Sequence, residues 1–307
     1  MPEIITDAEW QKLYFAELII KCRAIDEIKL PQYSGATIRG ALGSALYKDN
    51  CIFHKTDCSE CEINISCPYY YFFEAQRAED GGFDTSPFSV IPSNSKTIKP
   101  GDVFEFAIVL YGKSIDYAAN IISALNTMGI LGVGKGKATF AIENISQKGQ
   151  LVYREGRILR ELQKQTIEEY ETGDKIRLNL ITPLRLKKKG RYIYVPEFSD
   201  IVKAILRRYT ILIENFCDDK FNIDFDALIS RSQAINISRD ATQWLEFDRY
   251  SRRQAQKVPM HGTIGEVEYT GNFKGLEYIM AAIDSVNIGS STGFGFGRIR
   301  VSRLLVR

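Results

Sequence analysis

The sequence predicts an α+β fold built from two copies of a β-α-β-β-α-β unit. A helix, a glycine-rich loop and a strand occur twice at a constant offset of 159 residues, and an apolar strand precedes both copies at that offset. Each half of the chain also begins with a strand of alternating apolar and polar residues that leads to a helix. The corresponding segments are 14–22 and 175–183, 103–112 and 262–271, and 116–145 and 275–304.

The helices of both units carry an apolar face. Each first helix follows a short proline-containing segment, residues 30–34 or 195–199. Apolar residues three and four positions apart place one side of a helix in a core. These faces are Val202, Ile205, Leu206, Tyr209, Leu212, Ile213 and Phe216; Ile121, Ile122, Leu125 and Met128; and Leu276, Ile279, Met280, Ile283 and Val286.

The repeat divides the chain into two domains. We expect an N-terminal ferredoxin-like (RRM-like) domain at residues 1–146, a polar connector at 147–173, and a C-terminal ferredoxin-like domain at 174–307 that ends in the glycine-rich loop. Within the connector, residues 151–159 are predicted to form a hairpin and residues 160–171 a short helix. Duplication alone predicts packing and not function.

Composition restricts the compartment and the partner. No run approaches the ~20 apolar residues that a membrane span needs, and the first residues lack the basic and apolar regions of a signal peptide. We therefore expect a cytoplasmic protein with reduced cysteines. The net charge is only +2, but residues 174–307 hold 22 Lys and Arg against 15 Asp and Glu. Basic clusters at 185–191, 249–257 and 293–307 favour a polyanionic partner.

The glycine-rich loop, "GSSTGFGFGRIRV" (289–301), opens a strand after a helix. A dinucleotide-binding fingerprint has the reverse order and a different glycine spacing, so that function is disfavoured. Two interpretations remain. The loop is either a tight helix-to-strand crossing or a phosphate-binding loop with exposed amides, in which Phe294 and Phe296 are available to bases and Arg298 and Arg300 supply charge.

Four of the six cysteines fall in one short polar segment. Cys51, Cys58, Cys61 and Cys67 have the spacing C-x6-C-x2-C-x5-C. Four thiolates can close a tetrahedral zinc site and order a segment that is too polar to pack by itself. We expect structural Zn²⁺ here, with a 4Fe–4S cluster as the alternative. His54 could replace one cysteine as a ligand.

Several stretches resemble a cysteine-containing branch of the CRISPR-associated endoribonucleases that process precursor CRISPR RNA, members of the RAMP superfamily. The resemblance implies two ferredoxin-like domains, binding of CRISPR repeat RNA, and association with subunits of a CRISPR effector complex. The resemblance does not imply binding to a membrane. The stretches are "TIRGALGSAL" (37–46), "ITPLRLKKKGR" (181–191), "RYSRRQ" (249–254), "MHGTIGEVEYTG" (260–271) and the terminal glycine-rich loop.

The resemblance also implies a reaction in which the 2′-hydroxyl of the RNA attacks the adjacent phosphorus. The products carry a 2′,3′-cyclic phosphate and a 5′-hydroxyl, and cleavage requires no cofactor. Members of the family draw a Tyr, His and Lys set from the first helix region, where this chain offers Tyr33, Lys48 and His54. Their order here is Tyr-Lys-His rather than Tyr-His-Lys. The other histidine, His261, is placed beside a basic segment as an RNA contact or a polar strand end.

The C-terminal domain is expected to hold the RNA backbone. One alternative function is a non-catalytic RAMP subunit that binds guide RNA in an effector complex, and a more distant one is a metal-dependent or iron–sulfur nuclease. The residues expected to contact RNA are Lys187, Lys188, Lys189, Arg249, Arg252, Arg253, His261, Gly293, Gly295, Gly297, Arg298 and Arg300.

Overall fold

The computed structural model describes residues 7–54, 57–75, 85–92, 97–251 and 256–304. The chain forms two compact units. The N-terminal unit is Phe15–Gln165, and the C-terminal unit joins the residues up to Tyr14 to Thr166–Arg307. Helix α1 (Asp7–Trp10) therefore belongs to the C-terminal unit, where the hydroxyl of Tyr209 donates to the Trp10 carbonyl at 2.6 Å.

The N-terminal unit has an antiparallel sheet with the strand order β3-β5-β1-β6-β7-β8. Its central elements follow the sequence β1-α2-β3-β5-α4-β6, which is one β-α-β-β-α-β unit. The elements are β1 (Phe15–Ala24), β2 (Ile28–Lys29), α2 (Gly35–Asn50), α3 (Pro68–Phe73), β3 (Phe88–Ile91), β4 (Thr97–Ile98), β5 (Val103–Tyr111), α4 (Ala118–Leu131), β6 (Phe140–Gln147), β7 (Gln150–Arg154) and β8 (Arg157–Ile158), with 3-10 turns at Asn64–Ser66 and Gly112–Tyr117.

The C-terminal unit repeats this arrangement in a four-stranded sheet with the order β12-β13-β9-β14. The sequence β9-α5-β12-β13-α7-β14 is the second β-α-β-β-α-β unit. The elements are β9 (Lys175–Leu184), β10 (Lys187–Lys188), β11 (Arg191–Tyr192), α5 (Phe198–Phe216), α6 (Phe225–Ser232), β12 (Asn236–Ser251), β13 (Gln256–Thr270), α7 (Glu277–Ser285) and β14 (Ile299–Arg303), with a 3-10 turn at Thr292–Phe294.

The predicted tandem ferredoxin-like fold is confirmed, and so are the apolar faces that predicted it. Every residue named above for α4, α5 and α7 is at most 3% exposed. Helix α5 begins with a capping box in which the side chains of Glu197 and Asp200 accept from backbone amides. This cap satisfies amides that a helix otherwise leaves unpaired at its start.

The predicted hairpin in residues 151–159 is confirmed by the antiparallel pairing of β7 and β8. The predicted helix in residues 160–171 is wrong, because this described segment contains none. Gln165 instead exchanges both backbone hydrogen bonds with Phe15, each at 2.8 Å, and the Gln163 amide donates to the Gln147 side chain at 2.9 Å. Tertiary hydrogen bonds thus override the local helix propensity.

A long hairpin extends from the C-terminal sheet. Strands β12 and β13 pair from Asn236 and Thr270 as far as Ser251 and Gln256. Strand β13 pairs with β9 between Thr263 and Thr270, and β9 ends at Leu184. Residues 244–251 and 256–262 therefore form an arm beyond the sheet. Among the described residues, no helix is long and apolar enough to cross a membrane.

Substitution of Gly297 by alanine is predicted to lower the free energy of unfolding by about 2 kcal/mol or more. Gly297 has a φ of 72°, and a Cβ would overlap the carbonyl oxygen of Ile288. The matched control is Gly136→Ala, because a Cβ there meets nothing within 4 Å. Urea unfolding measures both variants, and equal stability of the two would contradict this account.

Candidate nucleic-acid interface

The glycine-rich loop makes a close crossing from α7 to β14. The Gly297 amide donates to the carbonyl of Pro183, and the Ile288 amide donates to the carbonyl of Gly297, each at 3.0 Å. Close packing and a positive φ require glycine at this position. The prediction that the Gly297 amide contacts phosphate is therefore wrong, because that amide is used inside the protein.

Two loop side chains that the phosphate-binding interpretation makes available to RNA are enclosed. Phe296 is fully buried, and Arg298 is 1% exposed. The Arg298 Nη1 donates to the carbonyl of Ser285 at 2.8 Å, and its amide donates to the Oγ1 of Thr182 at 2.8 Å. The predicted phosphate contact of Arg298 is wrong, because an enclosed guanidinium that binds a backbone carbonyl does not face solvent.

The remaining predicted contacts of this loop differ in exposure. Gly295 is buried, and its amide donates to the carbonyl of Thr292 at 2.8 Å, so it is also a packing residue. Gly293 is half-buried. Arg300 is exposed, with Nη1 3.3 Å from Oδ2 of Asp284. RNA contacts by Gly293 and Arg300 stay predictions.

The loop fixes the start of the basic segment that follows β9. The Ser290 amide donates to the carbonyl of Arg185 at 3.0 Å. A Cβ at Gly289, which has a φ of 83°, would lie 2.6 Å from that same carbonyl oxygen. The backbone of Arg185 is thus held against the glycine-rich loop.

The three consecutive lysines of this basic segment have different roles. Lys188 Nζ lies 2.8 Å from Oε2 of Glu197 and 3.1 Å from Oδ1 of Asp200, the two residues that cap α5. Its hydrogen bonds to these carboxylates raise the pKa of Lys188. All three lysines are exposed, and Lys189 occupies a turn with a φ of 50°. Lys187 and Lys189 fit a phosphate contact better than Lys188, because two carboxylates neutralise the charge of Lys188.

His261 lies on β13 among aromatic rings. Its ring centroid is 4.2 Å from that of Tyr192 and 5.1 Å from that of Trp244. The Nε2 atom is enclosed and has no hydrogen-bond partner in the described part of the chain. Burial, followed by the positive charge of Arg185, lowers the pKa of His261. A neutral imidazole is therefore favoured at neutral pH.

Sequence reasoning missed the neighbours of His261. Tyr192 and Trp244 contact its ring, Tyr194 packs on Trp244, and the Arg185 guanidinium lies over Tyr192. The signal that could have found three of them is the mixture of basic and aromatic residues in "RLKKKGRYIY" (185–194). Trp244 carries no such local signal, because strand pairing brings it to this place.

The other predicted RNA contacts lie toward the end of the hairpin arm. The backbone of Arg249 pairs with Val258 in the β12–β13 ladder, and its side chain is not described. Arg252 and Arg253 lie outside the described residues. Their roles stay predictions.

Some of the basic residues of the C-terminal unit form salt bridges with a buried acid of the same unit. Glu268 is 4% exposed, and its carboxylate lies 2.7 Å from Lys175 Nζ and 2.8 Å from Arg177 Nη2. Hydrogen bonds from Lys175 and then Arg177 hold the pKa of Glu268 at about 2. These cations neutralise a buried acid, so they contribute less to binding a polyanion than their number suggests.

The predicted catalytic residues are spread along α2 in the N-terminal unit. Tyr33 precedes the start of α2 at Gly35, whereas Lys48 lies in its last turn. A rise of about 1.5 Å per residue separates the backbone of Gly35 from that of Lys48 by about 20 Å along the axis. His54 follows the helix and is exposed. The catalytic roles of Tyr33, Lys48 and His54 stay predictions.

The four clustered cysteines line one cavity. Cys51, Cys58, Cys61 and Cys67 are all half-buried around it. Burial raises the pKa of Cys58 to about 11. Among the described residues, no group of three or more His, Cys, Asp or Glu side chains is placed to hold a metal ion. The structure thus brings the thiols to one cavity, and zinc binding there stays a prediction.

Each of the tandem ferredoxin-like units has a glycine loop between its second helix and its last strand, and the chain shares this fold with Cas6 structures. Two family models together match nearly the whole chain. AF_1859_N, an N-terminal domain, matches residues 13–172, about half of the chain, and the CRISPR-associated endoribonuclease Cas6 matches residues 178–299. The chain therefore belongs to the AF_1859_N family through its first half, and its C-terminal part is similar to the Cas6 family.

Relatives support the same fold. An uncharacterised protein of Archaeoglobus fulgidus is 26% identical over 196 residues, which are 61% of this chain, and the match spans 64% of that relative's length. Thermus thermophilus Cas6 (TTHB231) has a TM-score of 0.57 at 13% identity, covering 94% of this chain and 99% of its own. The Cas6 (TTHA0078) product complex has a TM-score of 0.54 at 15% identity, with the same coverage. A partial Cas6-RT-Cas1–Cas2 complex has a TM-score of 0.59 at 12% identity, covering 95% of this chain and 46% of that chain.

Replacing Arg298 by methionine is predicted to lower the free energy of unfolding by about 1–3 kcal/mol, because a buried carbonyl loses its donor. The matched variant Arg300→Met should change it by less than about 0.5 kcal/mol, since Arg300 is exposed. Chemical denaturation gives both values. An unchanged free energy of unfolding in Arg298→Met would contradict the structural role of Arg298.

Proposed function

We propose that this protein is an endoribonuclease that cleaves CRISPR repeat RNA within precursor crRNA. The observation that carries the proposal is the Cas6 family match to residues 178–299. That range contains the glycine-rich loop, the basic segment after β9 and the hairpin arm. A Cas6 product complex and a Cas6 substrate mimic complex are among the similar structures.

The proposed reaction is attack of a 2′-hydroxyl on the neighbouring phosphorus. It leaves a 2′,3′-cyclic phosphate and a 5′-hydroxyl and proceeds without a metal ion. A base takes the proton of the 2′-hydroxyl, an acid protonates the leaving 5′-oxygen, and cations stabilise the charge on the phosphoryl oxygens. The chain has two histidines, and this residue type suits the base and acid roles near neutral pH.

His54 is the first candidate for the acid or base. Its side chain is exposed, so an RNA strand can reach it. The backbone carbonyl of His54 accepts from the Tyr47 hydroxyl at 2.9 Å, which ties this residue to α2. Lys48 is exposed on the last turn of the same helix and can supply positive charge. Tyr33 lies at the other end of α2 and is not part of the proposed pair of His54 and Lys48.

The C-terminal unit is proposed to hold the RNA. Lys187, Lys189 and Arg191 are exposed on the segment that the glycine-rich loop fixes. Phosphate contacts make binding salt-dependent, whereas sequence choice requires contacts with bases or recognition of RNA shape. Because a Cas6-RT-Cas1–Cas2 assembly is among the similar structures, we also propose CRISPR proteins as partners.

The His54→Ala variant is predicted to lower the rate constant for cleavage of repeat RNA at least about 100-fold. The measurement uses labelled repeat RNA from the source genome in EDTA, under single-turnover conditions, with product ends analysed for the cyclic phosphate. The matched variant is His261→Ala, which removes the other histidine and should retain the cleavage rate constant at saturating enzyme, although it weakens RNA binding. Normal cleavage by His54→Ala together with loss in His261→Ala would move the site to the C-terminal unit.

A non-catalytic RNA-binding subunit is the second candidate function. The separation of Tyr33 from Lys48 along α2 favours it, because the residues of the set implied for cleavage are spread from one end of that helix to the other. Such a subunit would bind the same repeat RNA without cutting it. Binding without product in the wild-type assay would select this function over the enzyme.

Structural zinc at the cysteine cavity stays a proposal. One zinc ion per chain is predicted for the native protein, measured by mass spectrometry of metals, because four nearby thiols match its ligand preference. The double variant Cys58→Ser/Cys61→Ser should lose the metal, whereas Cys22→Ser, in the buried strand β1, should retain it. A visible absorption band with iron would indicate the 4Fe–4S alternative, and a metal-free protein would contradict both.

A further inference from the structure

We propose that the exposed end of a four-ring cluster on the C-terminal unit stacks against one unpaired nucleobase of a bound RNA strand. The ring cluster consists of Tyr192, Tyr194, Trp244 and His261, and its exposed end is formed by Tyr194 and Trp244. This inference rests on the proposed RNA substrate and adds to it: the substrate must present an unpaired base at this position. It concerns a different part of the chain from the cleavage residues.

The rings form a continuous array. The centroids of Tyr194 and Trp244 are 4.3 Å apart with an interplanar angle of 36°, and those of Trp244 and His261 are 5.1 Å apart at 27°. Tyr192 closes the other side of His261 in an edge-to-face contact at 4.2 Å. Nearly parallel rings at these distances hold each other in position. The array is therefore a rigid platform.

The outer end of the array is open to solvent. Tyr194 is 59% exposed, and Trp244 is half-buried. The platform lies where β12 and β13 extend past the end of β9. A hydrogen bond from the Thr263 hydroxyl to the Tyr194 carbonyl, at 2.6 Å, holds the exposed tyrosine at this edge. An anchored and exposed aromatic ring is available to stack on a base.

Two cations lie at the inner end of the array. The Arg185 guanidinium carbon is 4.8 Å from the Tyr192 ring centroid, and Lys187 Nζ is 4.9 Å from it. The Arg185 Nη2 also lies 2.5 Å from the Tyr192 hydroxyl. Cations beside aromatic rings match the alternating phosphates and bases of a nucleic acid strand.

An acid bound to Trp244 distinguishes the two ends of the ring cluster. The Trp244 Nε1 donates to Oε1 of Glu246 at 2.8 Å. This carboxylate repels phosphate from the Trp244 end, whereas Arg185 and Lys187 attract it at the Tyr192 end. An uncharged base thus fits Trp244 and Tyr194, and its neighbouring phosphate fits the two cations.

The same charges argue against other ligands of aromatic clusters. A methylated lysine or another ammonium ligand favours rings without nearby cations. Here Arg185 and Lys187 would repel such a ligand. His261 does not change this balance, because its enclosed and unpartnered imidazole favours the neutral form. The ligand is therefore anionic and carries a flat ring.

The test uses the intrinsic fluorescence of Trp244. The chain has two tryptophans, and Trp10 is 1% exposed. Titration of the full chain with a short oligoadenylate should quench the emission, whereas an abasic oligomer of the same length should not. The Trp244→Phe variant should show no quenching at saturating oligoadenylate, which excludes Trp10 as the source of the signal.

Affinity gives a second measurement. Tyr194→Ala should weaken binding of the oligoadenylate about tenfold, without changing the dependence of affinity on salt. Lys187→Ala should lower that salt dependence by about one phosphate contact. The matched control is Ile237→Ala, an exposed apolar residue on β12, which should leave affinity unchanged.

The outcomes separate this inference from the proposed function. Equal binding of the abasic oligomer, with unchanged Trp244 emission and no effect of Tyr194→Ala, overturns the inference even if repeat RNA is cleaved. Base-dependent quenching by a protein that cleaves no repeat RNA supports the inference and contradicts the endoribonuclease proposal.

Discussion

The close approach of the two ends of the glycine-rich loop, at Ile288 and Gly297, determines the geometry of the C-terminal unit. The backbone at Gly297 passes so near the carbonyl of Ile288 that no side chain fits between them. This contact lets β14 enter the sheet beside β9, and it buries Arg298 behind the loop. The same loop binds the Arg185 carbonyl through the Ser290 amide. The exposed basic segment therefore starts from a fixed point.

The candidate interface follows from which cations are paired inside the protein. Arg298 binds a backbone carbonyl, Lys188 binds the cap of α5, and Lys175 neutralises a buried acid. Lys187, Lys189 and Arg191 are exposed after β9, and Lys187 lies beside an aromatic ring. Clustered cations in one segment can orient an RNA strand, whereas evenly spread charges would only attract it.

The fold was predictable because its signals are periodic. The buried stripe of α5 and the repeated helix–loop–strand segments depend on residues close in sequence, and each is confirmed. The helix expected in residues 160–171 failed because Gln165 pairs with Phe15, a contact that local propensity does not contain. Long-range hydrogen bonds determine the backbone conformation of such polar segments.

The site was less predictable than the fold. The basic segment and His261 were selected from residue type, but their aromatic neighbours come together through the pairing of β12 with β13. The residue type and spacing of the glycines indicate phosphate binding, although close packing requires Gly297 and a positive φ favours glycine at the buried Gly295. Tyr33, Lys48 and His54 are near in sequence, yet the length of α2 separates the first from the others.

Ultraviolet cross-linking of repeat RNA, followed by mass spectrometry of the cross-linked peptides, tests the central claim most directly. The account predicts cross-links within residues 185–194 and 244–261, where exposed cations and rings adjoin. Cross-links confined to residues 15–165, with none in the C-terminal unit, would contradict it.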